Sequence, residues 1–356
     1  MKVLCIGDLF LPSERFREAL EREFSGENGA PDVREVMWAG EKAEEQHHLQ
    51  QIMEVDGPEA VPVPEEIVSA VGDAEVITVH FAPVPEAVLD AGADLRAVVV
   101  ARAGYENVNV EAASRRGIAV VNLLGRNAPA VAEQAIALML AETRDVARAD
   151  RGVREGRWPK EFPQTPYDLF GSTVGLIGFG QVARQLAPRI RGFEVRLLAY
   201  DPYVDGKTIE SYGAEKVDDM ETVFRESDFV SLHARLTDET RRFIGREHFE
   251  LMKPTAYFIN NARSRMVRYN DLYEVLKEGR IAGAALDVHD DEPLGEGSEW
   301  TELENVTLTP HIAGSTTSTW LNSVRMSAEA VKELSETGRA TNTVNADALS
   351  GKGGGS

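Results

Sequence analysis

A chain of 356 residues, 43% hydrophobic and 27% charged, is long enough for two folded cores and too apolar for a disordered polymer. Its formal net charge of -21 disfavours nucleic acid and membrane surfaces as partners, because both are polyanions. A single cysteine excludes an internal disulfide and argues against a cysteine-built metal site, and no apolar run approaches the roughly 20 residues of a membrane span.

Taken in chain order, short β-rich runs alternate with longer amphipathic stretches. Strands are predicted at 2–6, 33–38, 74–80, 95–101 and 118–122, and a second series at 173–177, 195–200, 229–233, 256–260, 283–287 and 306–308. Helices are predicted at 14–24, 130–144, 181–191, 270–277 and 319–336. Nearly continuous apolar strands separated by helices predict parallel sheets covered on both faces, hence an α/β architecture built from two units. The last helix is expected to return to the first unit. Cys5 sits in the run Val3-Leu4-Cys5-Ile6 and reads as a small buried hydrophobe. Residues 40–64 read as an irregular surface excursion whose paired His47-His48 is solvent-exposed rather than metal-binding, and 351–356 read as a flexible glycine-rich linker. With no basic, apolar leader at its start, the chain is expected in the cytoplasm.

The second series carries the more specific signal. Thr173-Val-Gly-Leu-Ile-Gly178-Phe-Gly180-Gln181-Val182-Ala183 is a predicted strand running through G-x-G-x-x-A into a helix. Gly178 permits the tight turn, Gly180 lets backbone approach a pyrophosphate, and Ala183 keeps helix and strand close. The amides of Gln181 and Val182 would then face the phosphates at the positive end of the helix. Asp201, ending the next strand and followed by Pro202 and Tyr203, can accept both ribose hydroxyls and would repel a 2′-phosphate, so NAD is expected over NADP. Three later segments place polar groups at the carboxyl ends of predicted strands, where ligands bind in open α/β sheets: Asn260-Asn-Ala262-Arg263-Ser, Asp287-Val-His-Asp-Asp-Glu292-Pro, and Thr309-Pro-His311-Ile-Ala-Gly314-Ser.

With Arg102-Ala103-Gly104-Tyr-Glu-Asn107-Val, Arg116-Gly-Ile-Ala-Val-Val-Asn122 and Asn127-Ala-Pro-Ala-Val131-Ala-Glu133 from the first half, these motifs resemble the D-isomer-specific 2-hydroxyacid dehydrogenase family over most of the chain. The resemblance implies a Rossmann NAD-binding domain at 124–314, a flavodoxin-like substrate domain at 1–123 and 315–346 completed by the C-terminal helix, and a flexible tail at 347–356. It makes His311 the acid/base, Glu292 its partner and Arg263 the substrate clamp. The chemistry is consistent: an alcohol losing a hydride needs a base near neutral pH, a carboxylate orients an imidazole, and a guanidinium offers two parallel donors to a carboxylate. Asp290, Asp291 or Glu292 could each serve as the partner on residue type alone, and the resemblance selects the acid before proline. It also implies that Asp287 accepts from the nicotinamide carboxamide, that His233, Ala262 and Gly314 line the cofactor site, and that Ala103 and Gly104 hold the substrate carboxylate through their amides. A homodimer is implied too, and no appended regulatory domain is expected. Departures from the family pattern are Asn109 in place of a common aspartate, Ala234 and its successors after His233, and Arg265 and Arg268, which read as solvated. Asn127 or a neighbour is expected to cap the helix that follows. Two other functions fit less well: an NAD-sensing corepressor-like protein of the same fold, and an amino-acid dehydrogenase, which would need a lysine that none of the three segments contains.

Overall fold

The structure, a computed structural model, describes residues 1–26, 30–38, 42–162 and 164–350. The chain divides into two compact units, Met1–Arg126 with the described residues from Thr317 onward, and Asn127–Thr316.

The first unit is a five-stranded parallel sheet made of β1 (Lys2–Gly7), β2 (Asp32–Met37), β3 (Val76–Val79), β4 (Ala97–Val100) and β5 (Ala119–Asn122), in the order β2-β1-β3-β4-β5. This is the flavodoxin-like order, with its topological switch point between β1 and β3. Alternate residues of one strand face opposite layers, so Leu4 and Ile6 pack with Met53, Ile67 and Val88 on one side. Val3 and Cys5 pack with Phe16, Leu20, Val324, Val331 and Leu334 on the other. The partners from 324 to 334 belong to the helix Thr317–Thr337, which completes this unit. Burying Val324, Val331 and Leu334 contributes roughly 5–9 kcal/mol at about 1.5–3 kcal/mol per side chain. The edge of β5 is closed by residues near the C-terminus: the Val344 amide donates to the Val120 carbonyl at 2.7 Å, and the Asn345 side chain bonds Val120 and Ile118 at 2.9 Å each. Burial pushes the Cys5 thiol up to about 12, which leaves it inert.

The second unit is a seven-stranded parallel sheet of β6 (Thr173–Ile177), β7 (Arg196–Tyr200), β8 (Glu215–Lys216), β9 (Phe229–Leu232), β10 (Tyr257–Asn260), β11 (Gly283–Leu286) and β12 (Val306–Leu308). Its order, β12-β11-β10-β9-β6-β7-β8, is the Rossmann arrangement extended by one strand, with the switch point between β6 and β9. Both faces are buried, by Val174, Leu176, Leu186, Ile190 and Ile259 on one side and Val230, Phe258, Phe249, Leu272 and Leu276 on the other.

Three expectations need correction. The stretch 40–64 is not irregular: Ala43–Asp56 is a helix, followed by a short 3₁₀ turn at Pro58–Ala60, while residues 40 and 41 lie outside the described residues. The helix was hidden because its inward stripe includes the fully buried Gln46, whose Oε1 accepts from the Leu9 amide at 3.0 Å. Residues Ala346–Ser350 form a short helix, and 351–356 lie outside the described residues. Asn127 occupies the N-cap of the helix Ala128–Thr143, yet its side chain makes no capping hydrogen bond. His48 is exposed, while the side chain of His47 lies outside the described residues. Among the described residues no acidic, histidine or cysteine group is arranged to hold a metal, and no helix is long and apolar enough to cross a membrane.

Candidate active site

At the end of β6, Gly178 has φ +91°, and a β-carbon there would stand 2.6 Å from the Ala234 amide nitrogen. Only glycine satisfies both constraints. The turn delivers the chain to the helix Gln181–Ile190, whose N-cap is Gly180 and whose Ala183 is fully buried against the sheet. The first amides of a helix have no intrahelical acceptor. Gly180 offers no side chain to cap them, and the direction its β-carbon would take is open for at least 4 Å. An anionic backbone therefore has both room and donors at this point. Asp201, directly after β7, is held by the Phe179 amide at 2.8 Å on one oxygen and by the Tyr203 and Val204 amides at 2.8 and 3.1 Å on the other. These bonds fix a negative charge beside the glycine turn, which suits a ribose diol and opposes a 2′-phosphate. The arrangement fits NAD. Pro202 is exposed beyond Asp201. His233, just past β9, pairs with Ser231 Oγ at 2.9 Å, and burial holds it neutral with its pKa drawn down to about 4.

Three loops past β10, β11 and β12 hold the expected reacting groups. After β10, the Asn260 side chain accepts from the Ala262 amide at 3.0 Å and donates to the Arg263 carbonyl and Tyr269 hydroxyl at 3.2 Å each. This fixes a tight turn that leaves Arg263 exposed, with Nη1 on the Ala262 carbonyl and no carboxylate partner among the described residues. After β11, the His289 amide donates to Glu292 Oε1 at 2.9 Å, leaving Oε2 to meet His311 Nδ1 at 2.8 Å. Of Asp290, Asp291 and Glu292, it is Glu292 that meets His311, while Asp290 is turned to Arg242 at 2.8 Å.

After β12, His311 adopts φ +52°, an uncommon conformation for a residue with a β-carbon. What holds it there is Asp287. Its fully buried carboxylate accepts from Thr309 Oγ1 at 2.5 Å, Gln134 Nε2 at 3.1 Å, and the Ile312 and Ala313 amides at 3.0 and 2.9 Å. These four donors, three on Oδ1 and one on Oδ2, tie Asp287 to the histidine loop. Gly314 lets this loop close on Asn127, whose Nδ2 lies 2.7 Å from where a β-carbon would stand.

The electrostatics follow from these contacts. The Glu292 hydrogen bond lifts the pKa of His311 above the ordinary histidine value, against the pull of burial and of the Arg263 charge. Burial would push Glu292 up, but His311 and the His289 amide outweigh it and leave its carboxyl below the usual range. Since Glu292 accepts, Nδ1 is the donor and Nε2 is the nitrogen left for proton transfer. Sequence reasoning missed Gln134, Asn260, His289 and Tyr269 as supports. Each lies far along the chain from what it braces or is indistinguishable from an ordinary polar residue until the strands are aligned.

Two departures from the family pattern find plain roles. Asn109 caps the helix Val110–Arg116, accepting from the Ala112 amide at 2.9 Å. Arg268 has a side chain 41% exposed and pairs at the surface with Glu247, and with Asp271 at 3.3 Å, and Arg265 is exposed. In the first unit, Ala103 and Gly104 lie on the loop after β4. The Ala103 carbonyl accepts from Asn122 at 2.6 Å, and neither residue's N–H has an acceptor among the described residues.

Residues 136–313, half of the chain, match the family described as D-isomer specific 2-hydroxyacid dehydrogenase, NAD binding domain. The chain is 37% identical over 284 residues to a D-3-phosphoglycerate dehydrogenase of Methanocaldococcus jannaschii, covering 79% of this chain and 53% of that protein. It thus spans about half the length of that relative. It is 40% identical over 237 residues to a glyoxylate reductase of Korarchaeum cryptofilum, covering 66% of this chain and 71% of the other. The NAD-complexed structure of a D-isomer specific 2-hydroxyacid dehydrogenase from Lactobacillus delbrueckii ssp. bulgaricus shares the fold at a TM-score of 0.76 and 20% identity, covering 97% of this chain and all of that one.

Proposed function

The chain belongs to the D-isomer-specific 2-hydroxyacid dehydrogenase family, and we propose that it is an NAD-dependent oxidoreductase acting at carbon 2 of a small D-2-hydroxy acid or the matching 2-keto acid. The observation that carries this reading is the His311–Glu292 pair, 2.8 Å apart, on the same sheet edge as the glycine turn and as Arg263, which has no carboxylate partner among the described residues. Bound NAD supplies the hydride acceptor or donor. Gly178, Gly180 and the amides of Gln181 and Val182 take its pyrophosphate, Asp201 and Pro202 its ribose, and His233, Ala262 and Gly314 line the nicotinamide half.

In the oxidation direction, neutral His311 takes the hydroxyl proton on Nε2, while Glu292 keeps the imidazole oriented and stabilises the imidazolium that forms. In reduction, the imidazolium returns that proton to the carbonyl oxygen. Arg263 presents parallel donors to the acid and polarises the C2 oxygen, which fixes the reacting carbon. The amides of Ala103 and Gly104 are assigned to the substrate carboxylate. A cytoplasmic homodimer is the proposed form, and size-exclusion chromatography with light scattering tests the dimer.

The decisive experiment follows NADH and NADPH in parallel across a panel of 2-keto acids that includes glyoxylate and hydroxypyruvate. NADH oxidation with at least one acid is expected, falling about 10²- to 10⁴-fold in His311→Gln. No turnover across the panel by protein that binds NADH would overturn the reading.

A further inference from the structure

The chain beyond β9 contributes more than His233 to the carboxyl edge of the second sheet. Residues 242–244 run beside residues 265–268: the Arg242 amide donates to the Arg265 carbonyl at 2.9 Å, the Ile244 amide to Met266 at 3.2 Å, and the Arg268 amide to Ile244 at 2.8 Å. These bonds hold Arg242 at φ +54°, a backbone region uncommon for a residue with a β-carbon. Such a conformation persists only where its surroundings over-determine it, and positions of this kind gather at functional sites.

The Arg242 side chain forks between two loops. One guanidinium nitrogen donates to the Val267 carbonyl, in the segment that follows Arg263. The other meets Asp290 Oδ2 at 2.8 Å, just ahead of Glu292 in the chain. Arg242 thereby joins the loop that carries Arg263 to the loop that carries Glu292. This tie lies at the rim, where the Arg242 and Asp290 side chains are 41% and 33% exposed. A buried tie runs beneath it. The Tyr269 hydroxyl donates to the Val288 carbonyl at 2.6 Å and accepts from Asn260 Nδ2 at 3.2 Å, linking the same two loops from inside. The inner tie grips Val288 and the outer one grips Asp290, so the turn that ends in Glu292 is anchored on both sides.

We propose that Arg242 is a positioning residue for the reaction: its fork fixes the Glu292 loop against the Arg263 loop, and so holds Glu292 where it orients His311. Its meaning for catalysis rests on the dehydrogenase reading, whereas the brace itself is a property of the loops. A lysine would keep the charge but lacks the rigid planar fork that reaches a carbonyl and a carboxylate together.

The test reads His311 both directly and through turnover. The charged groups facing that imidazole are Glu292, Arg263 and Asp287. In Arg242→Gln the Glu292 contact loosens, so the His311 midpoint should move to lower pH, the direction of Glu292→Gln. An NMR titration of the imidazole Cε1 proton, assigned by its loss in His311→Gln, follows it. If Arg242 served only as a charge, its removal would unmask Asp290 and raise the midpoint; a raised or unmoved midpoint overturns the proposal. The kcat for a 2-keto acid should fall about 10- to 100-fold, the scale of a group displaced by about 1 Å. KM for the acid and NADH affinity by fluorescence titration should change little, because Asn260 and Tyr269 still hold the Arg263 turn. Melting should shift by no more than about 4 °C, since a part-exposed ion pair contributes little to stability. Asp290→Ala should reproduce the kcat loss, and the double variant should be no worse than either single one; additive losses would deny the coupling. Arg242→Lys should retain part of the rate and serves if the glutamine variant does not fold, while a full rate in it would overturn the role of the fork. A wild type that turns over no keto acid defeats the dehydrogenase reading, and the NMR midpoints still decide the brace.

Discussion

Asp287→Ala separates loop anchoring from cofactor contact. The carboxylate it removes is wholly buried and takes four donors, two of them the backbone amides of Ile312 and Ala313, which cannot rotate away. An orphaned buried donor costs about 1–3 kcal/mol, so the two amides alone amount to about 4 kcal/mol. The second unit has about 190 residues, a size at which each kcal/mol moves the transition by about 2–4 °C, giving a fall of about 8–16 °C. The same loss frees His311 from φ +52°, and an imidazole displaced by about 1 Å lowers kcat by about 100-fold. Scanning calorimetry with and without NADH, alongside steady-state rates, reads all three quantities. A variant melting within about 2 °C of wild type but binding NADH much more weakly would refute the anchoring argument, since that is the signature of a group touching only the cofactor.

Further outcomes follow from the same geometry. Glu292→Gln removes the contact that raises His311, so the reduction rate, which needs imidazolium and falls as pH rises through that pKa, should fall off at lower pH than in wild type; a limb that stays in place counts against the pair. Stability obeys the matching signs: the His311 share is complete below its unfolded pKa of about 6.5 and is lost as pH rises through the folded value. The Glu292 share is lost as pH falls through its lowered pKa, and melting curves across pH should show both edges. Gly178→Ala and Gly180→Ala should diverge: the first meets the Ala234 backbone and should destabilise the fold, while the second enters open space and should keep its melting point but bind NADH at least about 10-fold more weakly. Equal losses of stability in the two would contradict the geometry of the turn. Arg263→Gln should lose kcat/KM by about 10- to 100-fold with NADH affinity retained, measured by fluorescence titration.

Much of this was readable in the residues. The strand runs are apolar on both faces because both faces are covered, and that makes them conspicuous: Ile77 and Val79 of β3 and Val98 and Val100 of β4 are all fully buried. The two-residue strand β8 escaped because Glu215 and Lys216 carry no such pattern at a sheet edge. Within the site, the glycine turn and the three loop segments announced themselves through spacing. The choice of Glu292 over Asp290 did not, because it depends on which acid the His289 amide and Arg242 each capture once β11 and β12 lie side by side. The buried pair of Asp8 and His80, 2.9 Å apart in the first unit, was equally hidden, since its members are 72 residues apart and meet only because β1 and β3 are neighbours.

The layer shared by β1 and the helix Thr317–Thr337 bears on how the protein is made. During synthesis, Phe16, Leu20 and the inner face of β1 emerge early, yet the side chains that cover them, Val324, Val331 and Leu334, leave the ribosome only after the roughly 190 residues of the second unit. At about 5–20 residues per second this is a delay of roughly 10–40 s. The second unit is contiguous in sequence and can close while the first still waits with an uncovered apolar face. A nascent chain stalled near residue 316 should therefore be bound by chaperones through its N-terminal segment, and release of the helix Thr317–Thr337 should end that dependence.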